Sequence, residues 1–411
     1  MQPSAGIEPE GQNRSVVKES SEFSLVLGGP LYQLFRRTHL SGDALELLHR
    51  RVIAMTLLSW VPLLALSAVA GPLWGTGVQL PFVNDIELHA RFLLALPLLI
   101  FGELFAYREM RHLTELFLVR GLIPDGMRPG FKAALDSATR LRNSVAAEVL
   151  LIALVLVIGI EYWWPRLVTL DLANGVTSWY GTPVAGKFQP SLAGWWLRCV
   201  SLPLFQFLLL RWYFRLFIWA RFLWHVSRLE LRIEPLHPDR CGGLGFLGSI
   251  SHAFGPLLLA QGILLAGMMA ARIFFSAAQL PDFKLDLIGL PCAMLLIILG
   301  PLLVFGPKLA SAKRDGKREY GTLAMQYARD FRHKWLRGDA PPNEPLIGSA
   351  DIQSLADLGS SFEVAQSMRL VPFNLNTVVG LSVTTLLPVL PLIFTMFSPE
   401  QILGKVLSTI F

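Results

Sequence analysis

The sequence predicts an all-α fold, a polytopic transmembrane helix bundle of about seven spans with amphipathic interfacial and cytoplasmic helices. Composition is the first reason, because 53% of the 411 residues are hydrophobic and only 16% are charged. Soluble domains carry about 45–50% apolar and about 25% charged residues. The second reason is that the apolar residues fall in blocks of about 20, the length that crosses a bilayer core. Both a soluble enzyme with one ordinary core and a disordered chain are disfavoured.

Seven apolar blocks are candidates for membrane spans. The fourth is rich in arginine and aromatic residues. The second is short and contains Pro97, and the seventh contains Pro388 and Pro391. The two prolines leave a re-entrant segment as the alternative to a seventh span. The blocks cover residues 52–74, 91–107, 145–164, 195–219, 253–275, 287–310 and 377–397.

The basic residues indicate how the spans are oriented. Of the 36 lysines and arginines, 27 fall in the N-terminal stretch and in the loops after the second, fourth and sixth blocks. Basic loops stay in the cytoplasm, so the N-terminus is predicted to be cytoplasmic. Residues 1–22 contain no apolar core of a signal peptide. The net charge of +6 is therefore an orientation signal, and no nucleic-acid partner is expected.

These features divide the chain into five parts. Residues 1–22 are predicted to be a disordered cytoplasmic tail, and residues 23–51 an amphipathic interfacial helix. Residues 52–307 hold the first six spans with their loops. Residues 308–372 form a cytoplasmic helical segment, and residues 373–411 hold the seventh span and an amphipathic C-terminal tail.

The 308–372 segment shows helical periodicity on both sides of a break. Its apolar and aromatic residues recur at steps of three and four, which predicts an amphipathic helix. A proline-rich break follows at residues 340–345, and a second helix is predicted to begin near Asp351. The recurring residues of the first helix are Tyr320, Leu323, Tyr327, Phe331 and Trp335.

A few polar residues lie inside the predicted spans, where ionisable groups are costly and often functional. At about 1.5 Å per residue, Glu103, Glu148 and Arg215 reach a similar depth near the inner boundary. Arg211 lies one turn deeper on the Arg215 face, and Gln261 is near its depth. One interpretation is an ion-lined path between the second, third and fourth helices. The alternatives are an ionic network that locks those helices, and arginines that extend to the interface.

A chemically dense loop, residues 237–245, precedes the fifth block. If the chain is extended there, His237, Asp239 and Cys241 point to one face, as half of a metal site would. No second ligand cluster is evident in the sequence. The alternative is a turn whose own side chains satisfy its backbone.

The same loop offers a site for an anion or a lipid headgroup. Its glycines allow close approach to the backbone, and the first N–H groups of the following helix have no partner within the helix. An arginine beside them adds positive charge. The residues of this predicted site are Arg240, Gly242, Gly243 and Gly245.

Three stretches resemble a family of bacterial multi-pass inner-membrane proteins that has no characterised activity. They are HPDRCGGLGFLG (237–248), YGTLAMQYARDF (320–331) and GSADIQSLADLGSSFEVAQSMRLVPF (348–373). The similarity covers most of the chain. It implies a multi-pass protein of the bacterial inner membrane, and it implies no activity that could be transferred.

The first functional prediction is an integral membrane channel or transporter for a small ion or solute, with an anion preferred. Arginines at membrane depth and prolines in the last two spans support it. No catalytic motif is present, so neither a catalytic residue nor a cofactor is expected. The expected partners are the lipid bilayer, the ion or solute, and further copies of the chain. The alternatives are a membrane-anchored signalling scaffold acting through residues 308–372, and a lipid- or metal-dependent membrane enzyme.

Overall fold

The computed structural model describes residues 48–74, 77–110, 112–159, 177–184, 187–276, 278–338, 340–341, 344–347 and 349–395. About 79% of them are helical, and the strands form a single two-stranded hairpin, so the all-α prediction is confirmed. In chain order the main described elements are α1 (Leu48–Ala70), α2 (Ile86–Val119), α3 (Asp125–Arg142), α4 (Val145–Gly159), β1 (Gly181–Val184), β2 (Lys187–Pro190), α5 (Leu192–Ser227), α6 (Phe246–Phe275), α7 (Leu280–Leu336), α8 (Ala350–Gln366) and α9 (Leu375–Thr395).

Six of these helices have the length and hydropathy needed to cross a bilayer, namely α1, α2, α5, α6, α7 and α9. α3 and α4 pass the same test only as a pair, which is bent by 46°. The bend arises where Ser144 caps a new helix, because its hydroxyl accepts a hydrogen bond from the Ala147 N–H. The described bundle therefore has six candidate spans, or seven if the bent pair counts as one. The predicted third span continues to residue 164, beyond the described residues.

Glycines allow α6 to pack closely against both α2 and α9. A Cβ added to Gly102 of α2 would lie 2.4 Å from the Pro256 side chain of α6. A Cβ added to Gly262 of α6 would lie 2.0 Å from the carbonyl oxygen of Thr385 in α9. Helices in a bilayer depend on such van der Waals contact, because lipid removes most of the hydrophobic drive for their association.

Several helical turns depart from α geometry. α-Helix gives way to π-helix at Ala90–Ala95 in α2 and at Leu197–Ser201 in α5. Tighter 3-10 turns occur at Gly300–Phe305 in α7 and Leu387–Thr395 in α9. Both of these contain proline, which lacks the N–H that an α-helical bond requires. α9 nevertheless continues through its prolines as one element of 21 residues, which favours a span over a re-entrant segment.

Beyond its apolar part, α7 pairs with α8 in a helical hairpin. α8 begins close to Asp351, as the periodicity predicts. At the tip of the hairpin, Lys334 contacts Glu344 at 2.6 Å and Asp351 at 2.8 Å. Trp335 Nε1 also donates to the Asp351 carboxylate at 2.9 Å. These contacts close the hairpin at the end farthest from the apolar part of α7.

The two ends of the predicted organisation lie largely outside the described residues. This holds for the tail at residues 1–22, most of the interfacial helix at residues 23–51, and the C-terminal tail after residue 395. Residues 48–51 are described and belong to α1, which corrects the predicted boundary at residue 52. Arg51 is directed into the bundle and is only 3% exposed.

Candidate functional site

A buried carboxylate connects three helices of the bundle. Glu103 of α2 accepts a hydrogen bond from Arg215 of α5 at 2.5 Å. Its other carboxylate oxygen accepts a hydrogen bond from Arg51 of α1. The Arg215 guanidinium also lies over the Trp212 ring, 5.2 Å from the ring centre. All three charged residues are at most 4% exposed, so water does not screen this ion triad.

Depth along the helices was sufficient to pair two members of the triad. The sequence placed Glu103 and Arg215 in one layer, and the structure joins them. It missed Arg51, because that residue was assigned to the interfacial helix. The available signal was its position, directly ahead of the first apolar block.

Arg211 makes this region of the bundle more positive. It is 7% exposed and lies one helical turn from Arg215. The Nη1 atoms of Arg211 and Arg215 are both buried and have no hydrogen-bond partner among the described residues. Because arginine does not lose its proton in proteins, three buried guanidiniums here face one buried carboxylate among the described residues, that of Glu103. Two positive charges are left in excess.

A small cavity lies beside Arg211 and Arg215. Its volume is about 10 Å³, which is room for about one water-sized sphere. Arg211 and Arg215 line it, together with Arg142 at the end of α3 and Glu148 in the first turn of α4. The structure thus brings Glu148 beside the arginines, as its predicted depth requires. A cavity of this size does not form an open path.

Gln261 lies apart from the arginines. Its amide donates to the Tyr213 hydroxyl at 2.8 Å. Tyr213 is two residues from Arg211 and from Arg215, so it faces another side of α5 at about 100° per residue. The depth of Gln261 agreed with the prediction, but depth does not determine the direction in which a side chain points.

The loop at residues 237–245 is a turn built around one carboxylate. Asp239 accepts hydrogen bonds from the backbone N–H groups of Cys241, Gly243 and Gly245, at 2.7, 3.1 and 2.9 Å. His237 Nδ1 lies 2.9 Å from the same carboxylate. Burial disfavours the charged form, but the backbone donors outweigh burial and hold the pKa of Asp239 below its usual value. The loop is therefore a turn whose own side chain satisfies its backbone, the alternative to half of a metal site.

Two glycines and one arginine of the turn have a left-handed backbone conformation. Gly242 and Gly243 have φ angles of 63° and 94°, in the left-handed region that favours glycine. Arg240 shares that region with φ 53°, at a cost of about 1–2 kcal/mol for a residue with a side chain. The N–H groups of Gly243 and Gly245 are already bonded to Asp239. The Arg240 side chain of the predicted anion site is exposed and makes no hydrogen bond with a described residue.

His237, Asp239 and Cys241 do not assemble as metal ligands. The Cys241 thiol is buried and donates to the Val371 carbonyl at 3.4 Å. Burial also raises the pKa of this thiol, which disfavours a metal-binding thiolate. Across the described residues, no group of three or more His, Cys, Asp and Glu side chains is placed to hold a metal ion. The geometry gives the metal-dependent enzyme no support.

Two arginines that the sequence did not single out bind the loop from outside. Arg120, just after α2, donates from Nη1 to the Gly243 carbonyl at 2.9 Å. Arg369, in the link from α8 to α9, donates from Nη2 to the Asp239 carbonyl at 2.8 Å. Both are more than 100 positions from the loop in the chain, so no local motif could reveal them.

No family model, curated protein or solved structure matches the chain. The function proposed below therefore rests on the residues and their geometry. Membership of the bacterial family that the sequence resembles stays a prediction.

Proposed function

We propose that the chain is a multi-pass protein of a bacterial inner membrane, with a cytoplasmic N-terminus, that conducts or transports a small anion. The observation that carries this proposal is the excess positive charge between α1, α2 and α5. Arg51, Arg211 and Arg215 are buried there, and Glu103 is the one buried carboxylate beside them among the described residues. Glu148 and Arg142 line the adjoining cavity and carry opposite charges, so they leave the net charge of this region unchanged.

Charge burial of this kind favours an anion. An unpaired ion in a low-dielectric interior costs several kcal/mol, and a guanidinium cannot relieve that cost by losing its proton. A small anion against the free Nη1 atoms of Arg211 and Arg215 would satisfy two buried donors and reduce the repulsion between them. Charge-assisted hydrogen bonds of this type are among the strongest in proteins.

The passage would be closed in the conformation described. The cavity beside Arg211 holds about one water-sized sphere. The break between α3 and α4 lies next to it, because Arg142 and Glu148 flank that break. A change in the 46° bend would move these two residues relative to Arg211, and is the motion we assign to opening.

The test is anion flux in proteoliposomes that contain the full chain. Chloride, nitrate, phosphate and small carboxylates are assayed separately, with wild type and with Arg211→Gln. Arg211 makes no hydrogen bond to Glu103, so this variant keeps the ion triad. Arg198→Gln is the matched control, because Arg198 lies near the other end of α5 over the Trp195 ring. We expect flux of at least one anion in wild type and in the control, with a loss of about tenfold or more in Arg211→Gln.

Two results would reject the conduction proposal. One is folded wild-type protein that passes none of these anions. The other is Arg211→Gln protein that passes them as fast as wild type does. In either case the triad with Arg211 would be the ionic network that locks the helices.

A second function, the interaction scaffold, is favoured by apolar residues at the tip of the α7–α8 hairpin. Leu336 is 73% exposed and Ile347 is 90% exposed. A photo-crosslinking residue at position 347 of the full chain tests it, with one at the exposed, charged Arg318 as the control. Adducts at 347 with another defined protein support the scaffold, and adducts with a second copy support a homo-oligomer. No adduct specific to 347 rejects both.

A further inference from the structure

A cavity of about 650 Å³ opens beside the loop that precedes α6. Its walls come from the end of α2, the loop, the first turn of α6, and the link from α8 to α9. We call it the arginine pocket. Its polar lining includes three arginines, two hydroxyls and an amide: Arg120, Arg240, Arg369, Ser249, Ser367 and Asn374.

The hydrogen bonds of two of the arginines go to neutral groups. Arg369 donates to the Asp239 carbonyl at 2.8 Å and to the Phe373 carbonyl at 3.3 Å. Arg120 donates to the Gly243 carbonyl and lies over the Phe246 ring at 5.1 Å. Carbonyl oxygens orient a guanidinium without cancelling its charge. The pocket therefore presents fixed positive charge.

The carboxylate in the wall does not balance these charges. Asp239 accepts three backbone hydrogen bonds within its own turn, and lies 3.6 Å from the Arg120 guanidinium. Three guanidiniums against one carboxylate leave two positive charges in excess. Arg369 Nε is also buried without a hydrogen-bond partner in the described part of the chain.

Arg240 is the third arginine that lines the pocket, and its backbone conformation is constrained. Its φ of 53° places it in the left-handed region, and its carbonyl accepts from the Arg369 N–H at 2.7 Å. The Arg240 side chain is exposed, and makes no hydrogen bond or ion pair with a described residue. It is the guanidinium in the pocket that is free to meet a ligand.

We propose that the arginine pocket binds a phosphate monoester group. The forked N–H groups of arginine match phosphate oxygens, and hydroxyl and amide donors bind the same oxygens. Two excess positive charges match the nearly double negative charge of a monoester near neutral pH. A cavity of this size also has room for the organic part of the ligand.

The position of the pocket permits two sources of this group. It lies where the candidate spans α2, α6 and α9 begin or end, so a phospholipid with a terminal phosphate can reach it from the bilayer edge. A soluble phosphate ester can reach it from the aqueous side. The shared chemistry is the monoester, and the experiment separates the two sources.

The full-length protein is used, in detergent for a soluble probe and in nanodiscs for a lipid probe. Glycerol 3-phosphate is titrated at constant ionic strength, with potassium chloride as the matched salt. Nanodiscs contain phosphatidylcholine alone or phosphatidylcholine with phosphatidic acid, whose headgroup is a monoester. Binding is read from the shift in melting temperature and from calorimetric titration.

The variants isolate the pocket. Arg240→Gln removes the free guanidinium without breaking a hydrogen bond of the fold. Arg232→Gln is the matched control, an exposed arginine nearby that does not line the pocket. We expect Arg240→Gln to weaken binding by about tenfold, the effect of one charge-assisted hydrogen bond, and Arg232→Gln to leave it unchanged.

Each outcome decides the proposal. Arg240-dependent binding of glycerol 3-phosphate supports a soluble ester, and Arg240-dependent stabilisation by phosphatidic acid alone supports a lipid headgroup. No stabilisation by either probe, or stabilisation that Arg240→Gln leaves intact, overturns it. The arginine pocket shares no residue with the cavity beside Arg211. Failure of anion flux therefore has no bearing on this binding test.

Discussion

Arg215 Nη2 donates to Glu103 Oε1 at 2.5 Å, and both side chains are about 5% exposed. This bond joins α5 to α2, and Arg51 on the second oxygen adds α1 to the same carboxylate. One acidic side chain thus holds two buried cations, each on a different helix. The structure of this part of the bundle depends on that charge.

Removing the Glu103 charge is expected to unfold this region. In Glu103→Gln, Arg51 and Arg215 keep their protons and lose their counter-ion, at a cost of about 3–5 kcal/mol. The melting temperature of the purified protein in detergent measures the loss. Glu87→Gln is the control, because its pair with Arg91 is half-exposed and is worth about 0–1 kcal/mol. Equal melting temperatures for the two variants would show that Glu103 does not hold the helices together.

The contact between α6 and α9 is expected to reject even one methyl group. A Cβ on Gly262 would lie 2.0 Å from the Thr385 carbonyl oxygen, so Gly262→Ala must push the helices apart. We expect a loss of about 1–3 kcal/mol, measured by thermal unfolding. Gly289→Ala in α7 is the control, because its Cβ would meet no atom within 4 Å. That variant is expected to match or exceed wild type in stability, and a Gly262→Ala protein as stable as Gly289→Ala would contradict the close contact.

The turn around Asp239 is expected to open in acid. The folded pKa of Asp239 is lowered, so its stabilisation is complete above the unfolded value of about 4 and is lost as pH falls through the folded pKa. The buried Cys241 thiol reports opening by its rate of reaction with dithiodipyridine, in a Cys199→Ser/Cys292→Ser protein. We expect the rate to rise below about pH 4, and Asp239→Ala to raise it about tenfold near neutral pH.

The control for that experiment lies in the same variant. Once Asp239 is alanine, this carboxyl no longer titrates, so the acid-dependent increase is expected to disappear. An increase of the same size in Asp239→Ala would assign the acid effect to another part of the fold.

The tip of the α7–α8 hairpin is expected to loosen without its shared carboxylate. The hydrogen bonds from Lys334 and Trp335 hold the pKa of Asp351 below its usual value. Asp351→Ala removes both bonds, so amide hydrogen exchange is expected to accelerate at residues 332–336 and 349–352. Asp357→Ala, on the exposed side of α8, is expected to leave these residues unchanged. Unchanged exchange in Asp351→Ala would mean that the tip is held by other contacts.

The sequence was most informative where one simple periodicity governs the chain. Apolar runs of about 20 residues located the candidate spans, and steps of three and four located the two helices of the hairpin. The rise per residue then placed Glu103 and Arg215 in one layer. The rise per residue gives the depth of a side chain but not the direction in which it points around the helix axis. For this reason the sequence did not predict that Gln261 contacts Tyr213, away from the arginines.

The arginine pocket could not be predicted, because no regular element relates its walls. Arg120, Arg240 and Arg369 meet where helices end and irregular segments fold back. The direction of such segments is set by individual bonds, such as that from Arg369 to the Asp239 carbonyl. The third apolar block begins at residue 145 and located the start of α4, but no sequence pattern gives the 46° angle between α3 and α4.

α7 is one helical element of 57 residues from Leu280 to Leu336, and it belongs both to the bundle and to the hairpin. Its length makes it a lever. With the six residues Gly300–Phe305 as the pivot, the Leu336 end lies about 45 Å away at 1.5 Å per residue. Each degree of tilt at the pivot moves that end by about 0.8 Å. A small rotation of α7 about these six residues would therefore appear at the tip of the hairpin as a much larger displacement.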